Sequence, residues 1–293
     1  MTNAVVAHTM ISTRHVLMRL TIKRFFAALL LLVLIASPAV AEKWAFAVIG
    51  DNRSAFASYR HVLNEIHMQT LNPGSTFPSL DLVMACGDLD PVEENYAIFK
   101  EVFKSKMLSY FPVRGNHDGP ADVRFIIQKI LPPYGKSINR LDEKDLNYFT
   151  DWKNVRLIIL DQYSSFGKSF RSDADLKWLE SALKAPGHIR HIFVAIHEPY
   201  LPGHAEKDPF WSLLIGEDRV RAVFAAHTHI YTRQRFPDKA SGIYYVNAGN
   251  AGMTTHSDNL QTIVEVMVDG ERVSFRVIQA PDGTANFSIR EDW

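Results

Sequence analysis

A mixed, layered α/β domain is the fold class this sequence predicts, and three observations predict it. Short apolar runs alternate with helix-period segments along most of the chain, the pattern of a sheet built with helical crossovers. The runs are apolar almost throughout rather than alternating, as strands covered on both faces must be. The closing stretch changes to two β-rich arms around an Asp269-Gly270 step, a tight-turn signal that makes an antiparallel hairpin the expected end of the domain.

The apolar runs place strands at Trp44–Ile49, Leu80–Ala85, Tyr110–Val113, Val155–Leu160, His191–Ile196, Val220–Ala225 and Ile243–Val246. Helical patterns fall between them, at Ser58–Gln69, Tyr96–Ser105, Ala121–Ile130 and Asp173–Ala185. Ser172 stands three residues before Asp175, a capping signature for the last of these helices. The hairpin arms are Thr262–Val268 and Arg272–Ile278. No internal repeat and no linker with a composition shift interrupts the pattern, so residues 42–293 read as one domain.

Residues 1–41 read differently. Arg19, Lys23 and Arg24 precede an unbroken apolar run from Phe25 to Ala36, and small residues follow at Ala39 and Ala41. That order describes a signal peptide over 1–41 with cleavage after Ala41, because the run falls short of the roughly 20 apolar residues a bilayer span requires. The expected product is exported, secreted or periplasmic, with no membrane span after cleavage. The whole chain has 293 residues with 32 basic and 32 acidic side chains. Four of the bases and none of the acids lie in residues 1–41, leaving 28 against 32 and a net of −4 for the rest. Such a body carries no basic footprint for nucleic acid. A single cysteine, Cys86, excludes an intramolecular disulfide framework and a cysteine-built zinc site.

The chemistry sits where the strands stop. Gly50-Asp51-Asn52-Arg53 follows the first run and Gly87-Asp88-Leu89-Asp90 the second. Arg114-Gly115-Asn116-His117-Asp118 follows the third, and His197-Glu198 and His227-Thr228-His229 follow two later ones. Ligand sites of layered α/β sheets gather at the carboxyl ends of strands, so residues up to 178 positions apart can converge. Asp51, Asp88, Asn116, His197, His227 and His229 together form a mixed oxygen and nitrogen donor set suited to Mn, Fe or Zn. A carboxylate shared by two cations would clamp both sides of a phosphoryl group.

In order and rough spacing these blocks resemble the signature blocks of the calcineurin-like metallophosphoesterases, across residues 44–249. Asp175-Leu176-Lys177-Trp178-Leu179 and Thr228-His229-Ile230-Tyr231 resemble its purple acid phosphatase side. The resemblance implies a two-sheet β-sandwich flanked by helices, with two divalent metal ions at one edge. It implies Asp88 bridging the metals, Asp51 and His229 on one ion, and Asn116, His197 and His227 on the other. His117 would be general acid to the leaving group, positioned by Asp118. The expected function is an exported phosphoesterase that hydrolyses small phosphate mono- or diesters through a metal-bridging hydroxide. The alternative is an exported binding protein that uses a degenerate site to hold a phosphate-bearing ligand.

Two departures bear on that expectation. The family's first block carries a metal-ligating histidine where this chain has Arg53, whose guanidinium has no lone pair to donate. Arg53 either binds the substrate phosphate, turns into a structural ion pair, or marks a first metal position that stays empty. Asn52 offers an amide oxygen as a substitute ligand. Pro91 stands where the purple enzymes have an iron-ligating tyrosine, so an Fe(III)–tyrosinate is not expected. Glu198 and Asp90 are further candidates to support the ligands, and His204 and His256 to line the rim.

Overall fold

Hydrophobic continuity in the strands becomes burial on both faces, and that burial sets the layers. In the computed structural model the described residues are 43–74, 77–164, 167–168, 170, 172–252 and 258–293. The leader segment 1–41 and His256 lie outside them. Among the described residues no helix is long and apolar enough to cross a membrane.

The strands are β1 (Trp44–Ile49), β2 (Leu80–Ala85), β3 (Ser109–Pro112), β4 (Ile138–Arg140), β5 (Tyr148–Trp152), β6 (Val155–Ile159) and β7 (His191–Ala195). They continue with β8 (Val220–Ala225), β9 (Tyr231–Phe236), β10 (Ile243–Ala248), β11 (Leu260–Asp269), β12 (Arg272–Pro281) and β13 (Ser288–Asp292). The helices are α1 (Phe56–Leu71), α2 (Val92–Val102), α3 (Pro120–Phe125), α4 (Asp173–Leu183) and α5 (Pro209–Ile215). One sheet runs β13-β12-β11-β1-β2-β3 and the other β4-β5-β6-β7-β8-β10-β9. The fold is a two-sheet sandwich flanked by helices.

Side-chain alternation explains why whole strands are apolar. Along β7, Phe193 and Ala195 belong to the core that includes β1, while Ile192, Val194 and, just past the strand, Ile196 belong to a second core with α4 and α5. β8 repeats this, with Ala222 and Phe224 in the first core and Val223 and Ala225 in the second. Between the sheets Phe46 meets Phe193 edge-on at a centroid distance of 5.2 Å. Phe210 and Trp211 of α5 are fully buried in the second core, Phe210 stacked on Phe170 at 4.3 Å.

β1, β2 and β3 are mutually parallel, and so are β6, β7, β8 and β10. Their carboxyl ends therefore bring several loops out together in each sheet. β11, β12 and β13 form the antiparallel meander at the chain end, with β11 antiparallel to β1. Two local expectations change. The helix expected over Ala121–Ile130 is α3 followed by a π-helical turn, Ile126–Ile130. Ser172 occupies the N-cap position of α4, but its side chain makes no capping hydrogen bond.

Candidate metal centre

Five turns carry the site, and each leaves the carboxyl end of a parallel strand: 50–53 after β1, 87–90 after β2, 115–118 after β3, 197–198 after β7 and 227–229 after β8. Backbone hydrogen bonds stitch them together. Asp51 N–H donates to the Gly87 carbonyl at 3.0 Å, Arg53 N–H to that of Asp88 at 3.1 Å, and Ala226 N–H to that of His197 at 2.9 Å. Asp51, Arg53, Asp88, His227 and His229 all have positive φ, between 36° and 70°. That conformation is costly for residues with a Cβ and clusters at functional sites.

The turns make two adjoining donor groups. In the first, donor atoms of Asp51, Asp88 and His229 lie within 4.8 Å of one another, with His229 Nε2 3.6 Å from Asp51 Oδ1. In the second, Asn116 Oδ1 stands 3.0 Å from His197 Nε2 and 2.9 Å from His227 Nδ1. Asp88 Oδ1 is 3.3 Å from His197 Nε2, which joins the two groups. A cleft of about 390 Å³ opens over them, lined by Asp88, Asn116, His117, His227, Thr228 and His229.

Whether these residues fit cations is decided by their lone pairs. His197 Nδ1 lies 2.7 Å from the Cys86 carbonyl, which only accepts, so the ring proton is assigned to Nδ1. Burial lowers the His197 pKa to about 4, so the ring is neutral at pH 7. Its Nε2 lone pair then faces two oxygens, Asn116 Oδ1 and Asp88 Oδ1. Asp51 Oδ1 is buried with no hydrogen-bond partner. Burial, and then the nearby Asp88 carboxylate, raise the Asp51 pKa well above its ordinary value. Lone pairs facing one another at these distances repel, and a cation between them removes the repulsion. The oxygen and imidazole set therefore fits divalent cations of the Mn, Fe and Zn kind. The Cys86 carbonyl on His197 Nδ1 is the sort of outer contact that orients a ligating ring.

Close packing of backbone makes the joining carboxylate depend on a glycine. A Cβ on Gly115 would stand 2.1 Å from Asp88 N and 2.2 Å from Asp88 Oδ1. Gly115→Ala is therefore expected to displace Asp88, costing about 1–3 kcal/mol of stability and most of the cation affinity. Thermal denaturation and metal titration of the variant check both effects, and unchanged metal affinity would refute the dependence.

The other predicted residues fall as follows. His117 lies on the rim with its side chain 44% exposed, its Nε2 3.9 Å from Asp88 Oδ2. Its backbone N–H donates to Asp88 Oδ1 at 3.0 Å. Asp118 does not position the imidazole. Its two carboxylate oxygens accept the N–H groups of Leu89 and Gly115, each at 2.7 Å, and so hold the turn. Burial raises the Asp118 pKa to about 7 against the pull of those two N–H donors.

Arg53 forms the ion pair, Nε to Asp90 Oδ1 at 3.0 Å, so Asp90 supports Arg53 rather than Asp88. The Arg53 carbonyl is fixed by Asn95 Nδ2 at 2.7 Å. The Arg53 side chain remains 25% exposed, and the pairing engages its Nε. Asn52 is fully buried with neither amide atom hydrogen-bonded. Glu198 Oε1 accepts from Tyr163 Oη and Lys168 Nζ, not from a ligand ring. His204 sits in solvent beside Glu206.

Sequence reasoning missed Asp161, Gln162 and Arg114. Gln162 Oε1 accepts the N–H groups of both His197 and Glu198, at 2.9 and 2.7 Å. Arg114 donates to the Asp118 carbonyl at 3.2 Å, lies 3.6 Å from Asp161 Oδ2 and stacks over the Tyr163 ring at 5.6 Å. These contacts tie the Asn116-His117 turn to the one that holds His197. The missed signal was the familiar one, an apolar run that stops at Asp161.

A model of the calcineurin-like phosphoesterase family matches residues 45–231, more than half of the chain. The comparison with curated proteins returns no significant match. Among solved structures, a dimetal phosphatase from Danio rerio superposes with a TM-score of 0.55 at 13% identity, over 85% of this chain and 98% of that one. Wild-type Vps29 from Entamoeba histolytica complexed with zinc gives a TM-score of 0.45 at 13% identity, over 85% of this chain and 98% of that one. At 13% identity the likeness to the dimetal phosphatase is one of fold.

Proposed function

The chain belongs to the calcineurin-like phosphoesterase family, and from that membership and its paired donor groups we propose that it is a metal-dependent phosphoric ester hydrolase. The observation that carries the proposal is the convergence of six donors from five turns, with Asp88 common to both groups. Divalent cations held by Asp51, Asp88 and His229, and by Asp88, Asn116, His197 and His227, would supply an activated water and neutralise charge on the phosphoryl oxygens.

The chain's own residues do the rest. Gln162 and the Cys86 carbonyl fix the His197 ring from behind. Asp118 and Arg114 fix the turn that carries Asn116 and His117. His117, on the open rim, delivers a proton to the departing alcohol oxygen. Arg53, steadied by Asp90, offers its terminal amino groups to a phosphate oxygen, which favours a monoester dianion. The basic, then apolar, then small-residue order of positions 19–41 supports export to the periplasm or beyond as part of the same proposal.

Metal content and turnover measured on one sample test it. Purified protein loaded with Mn, Fe or Zn is expected to hold up to two ions per chain and to hydrolyse aryl phosphates. Tight phosphate binding without turnover of any mono- or diester would favour the binding-protein reading instead.

A further inference from the structure

A second cavity, of about 310 Å³, is lined by residues that flank the turn carrying Asn116 and His117. Arg114, at the start of that turn, and Pro120, just past its end, both line it. Successive Cα atoms are 3.8 Å apart, so Pro120 lies within about 11 Å of His117. The cavity is therefore within reach of the leaving-group end of an ester poised at His117, and its volume is that of a small-ligand pocket. The π-helical turn Ile126–Ile130 forms part of its wall. Such turns recur at functional sites.

Its lining has a definite chemistry. Val123 and Ile127 supply apolar surface, while Arg114, Arg124 and Lys144 are set against the lone acid Glu143. Arg114 is engaged by Asp161 and the Asp118 carbonyl and is fixed in place. The side chains of Arg124 and Lys144 make no hydrogen bond or ion pair among the described residues. Two unpaired cations facing a concave, partly apolar surface suit an anion carried on an apolar body.

We propose that this cavity is a leaving-group subsite, selecting esters whose alcohol portion carries a second anion, a carboxylate or a phosphate, on an apolar chain. The proposal rests on the phosphoesterase reading and names a substrate class for it. A matched series of phenyl phosphates tests it, bearing a para four-carbon chain that ends in carboxylate, phosphonate, neutral amide or ammonium. Two exposed charge contacts predict kcat/KM about 3- to 10-fold higher for the anionic tails than for the amide, shrinking as salt rises. The ratio of carboxylate to phosphonate tells the two anion sources apart. In the Arg124→Glu/Lys144→Glu double variant the order should invert, with the ammonium tail preferred over the amide. That inversion itself reports a folded enzyme. Equal kcat/KM for all four tails in the wild type, or an order unmoved by the double variant, overturns the subsite and leaves the phosphoesterase reading standing. Failure to hydrolyse any of the four overturns the subsite, and the phosphoesterase reading falls with it only when no diester is turned over either.

Discussion

His117→Ala should lower turnover of an alkyl phosphate by 10²–10⁴-fold, the range for losing a positioned general acid, without loss of bound metal. The structure explains why the two readouts separate. The His117 contact with Asp88 Oδ1 is made by the backbone N–H, which alanine keeps. Its imidazole stands on the open rim of the cleft, 3.9 Å from Asp88 Oδ2, and holds no other part of the turn. Asp118, by contrast, holds the turn through Leu89 and Gly115 and does not touch the ring. The substitution therefore removes a proton donor and leaves the donor groups of the metal centre in place.

A comparison of leaving groups sharpens the same test. A nitrophenolate departs without needing a proton, whereas an alkoxide does not. The alanine variant should lose much less on the nitrophenyl ester than on the alkyl ester. An equal fall on both, together with lost metal, would mean that His117 matters structurally. Unchanged turnover on the alkyl ester would remove it from the mechanism.

Most of this site was legible because sheet physics writes it into the chain. β1, β2, β7 and β8 are apolar runs that start where the sequence places them, and each is followed within a few residues by Asp, Asn or His. Four strands escaped notice: β4, β9 and β13 are edge strands with few buried residues, Thr232–Gln234 in β9 and Ser288–Arg290 in β13 being exposed, and the interior β5 breaks its aromatic residues with Thr150-Asp151. An edge strand pairs on one side only and carries charge against aggregation, so it shows no apolar run. Arg53 and Asp118 were illegible for another reason. Where each side chain points depends on turn geometry, such as φ of 36° at Arg53, and composition does not encode that. Asp161 and Gln162 were legible in principle and escaped because they support the ligands from behind.

Glu265→Gln should make stability less dependent on pH, in a window set by one buried carboxyl. Glu265 sits in β11 between Ala47 of β1 and Arg276 of β12, 1% exposed, with neither carboxylate oxygen hydrogen-bonded. Burial pushes its pKa from 4.5 up to about 7, against the pull of Arg276 and helped by the nearby Glu65 and Asp292 carboxylates. Arg276 is shared, its Nε lying 3.0 Å from Asp292 Oδ1.

The folded state thus holds a proton that the unfolded chain releases more easily. Below about pH 4.5 both states are protonated and the group costs nothing. Between about 4.5 and 7 the unfolded state ionises first, so stability falls as pH rises, and above 7 the loss is constant. A raised pKa of this size corresponds to about 3 kcal/mol in full. Glutamine keeps the shape and cannot ionise. The variant should therefore gain up to about 3 kcal/mol relative to wild type between pH 4 and pH 8. Urea unfolding of both metal-free proteins at the two pH values measures that difference, in which pH effects common to both cancel. A difference that stays flat with pH would mean that water or Arg276 already stabilises the ionised carboxylate in the folded protein.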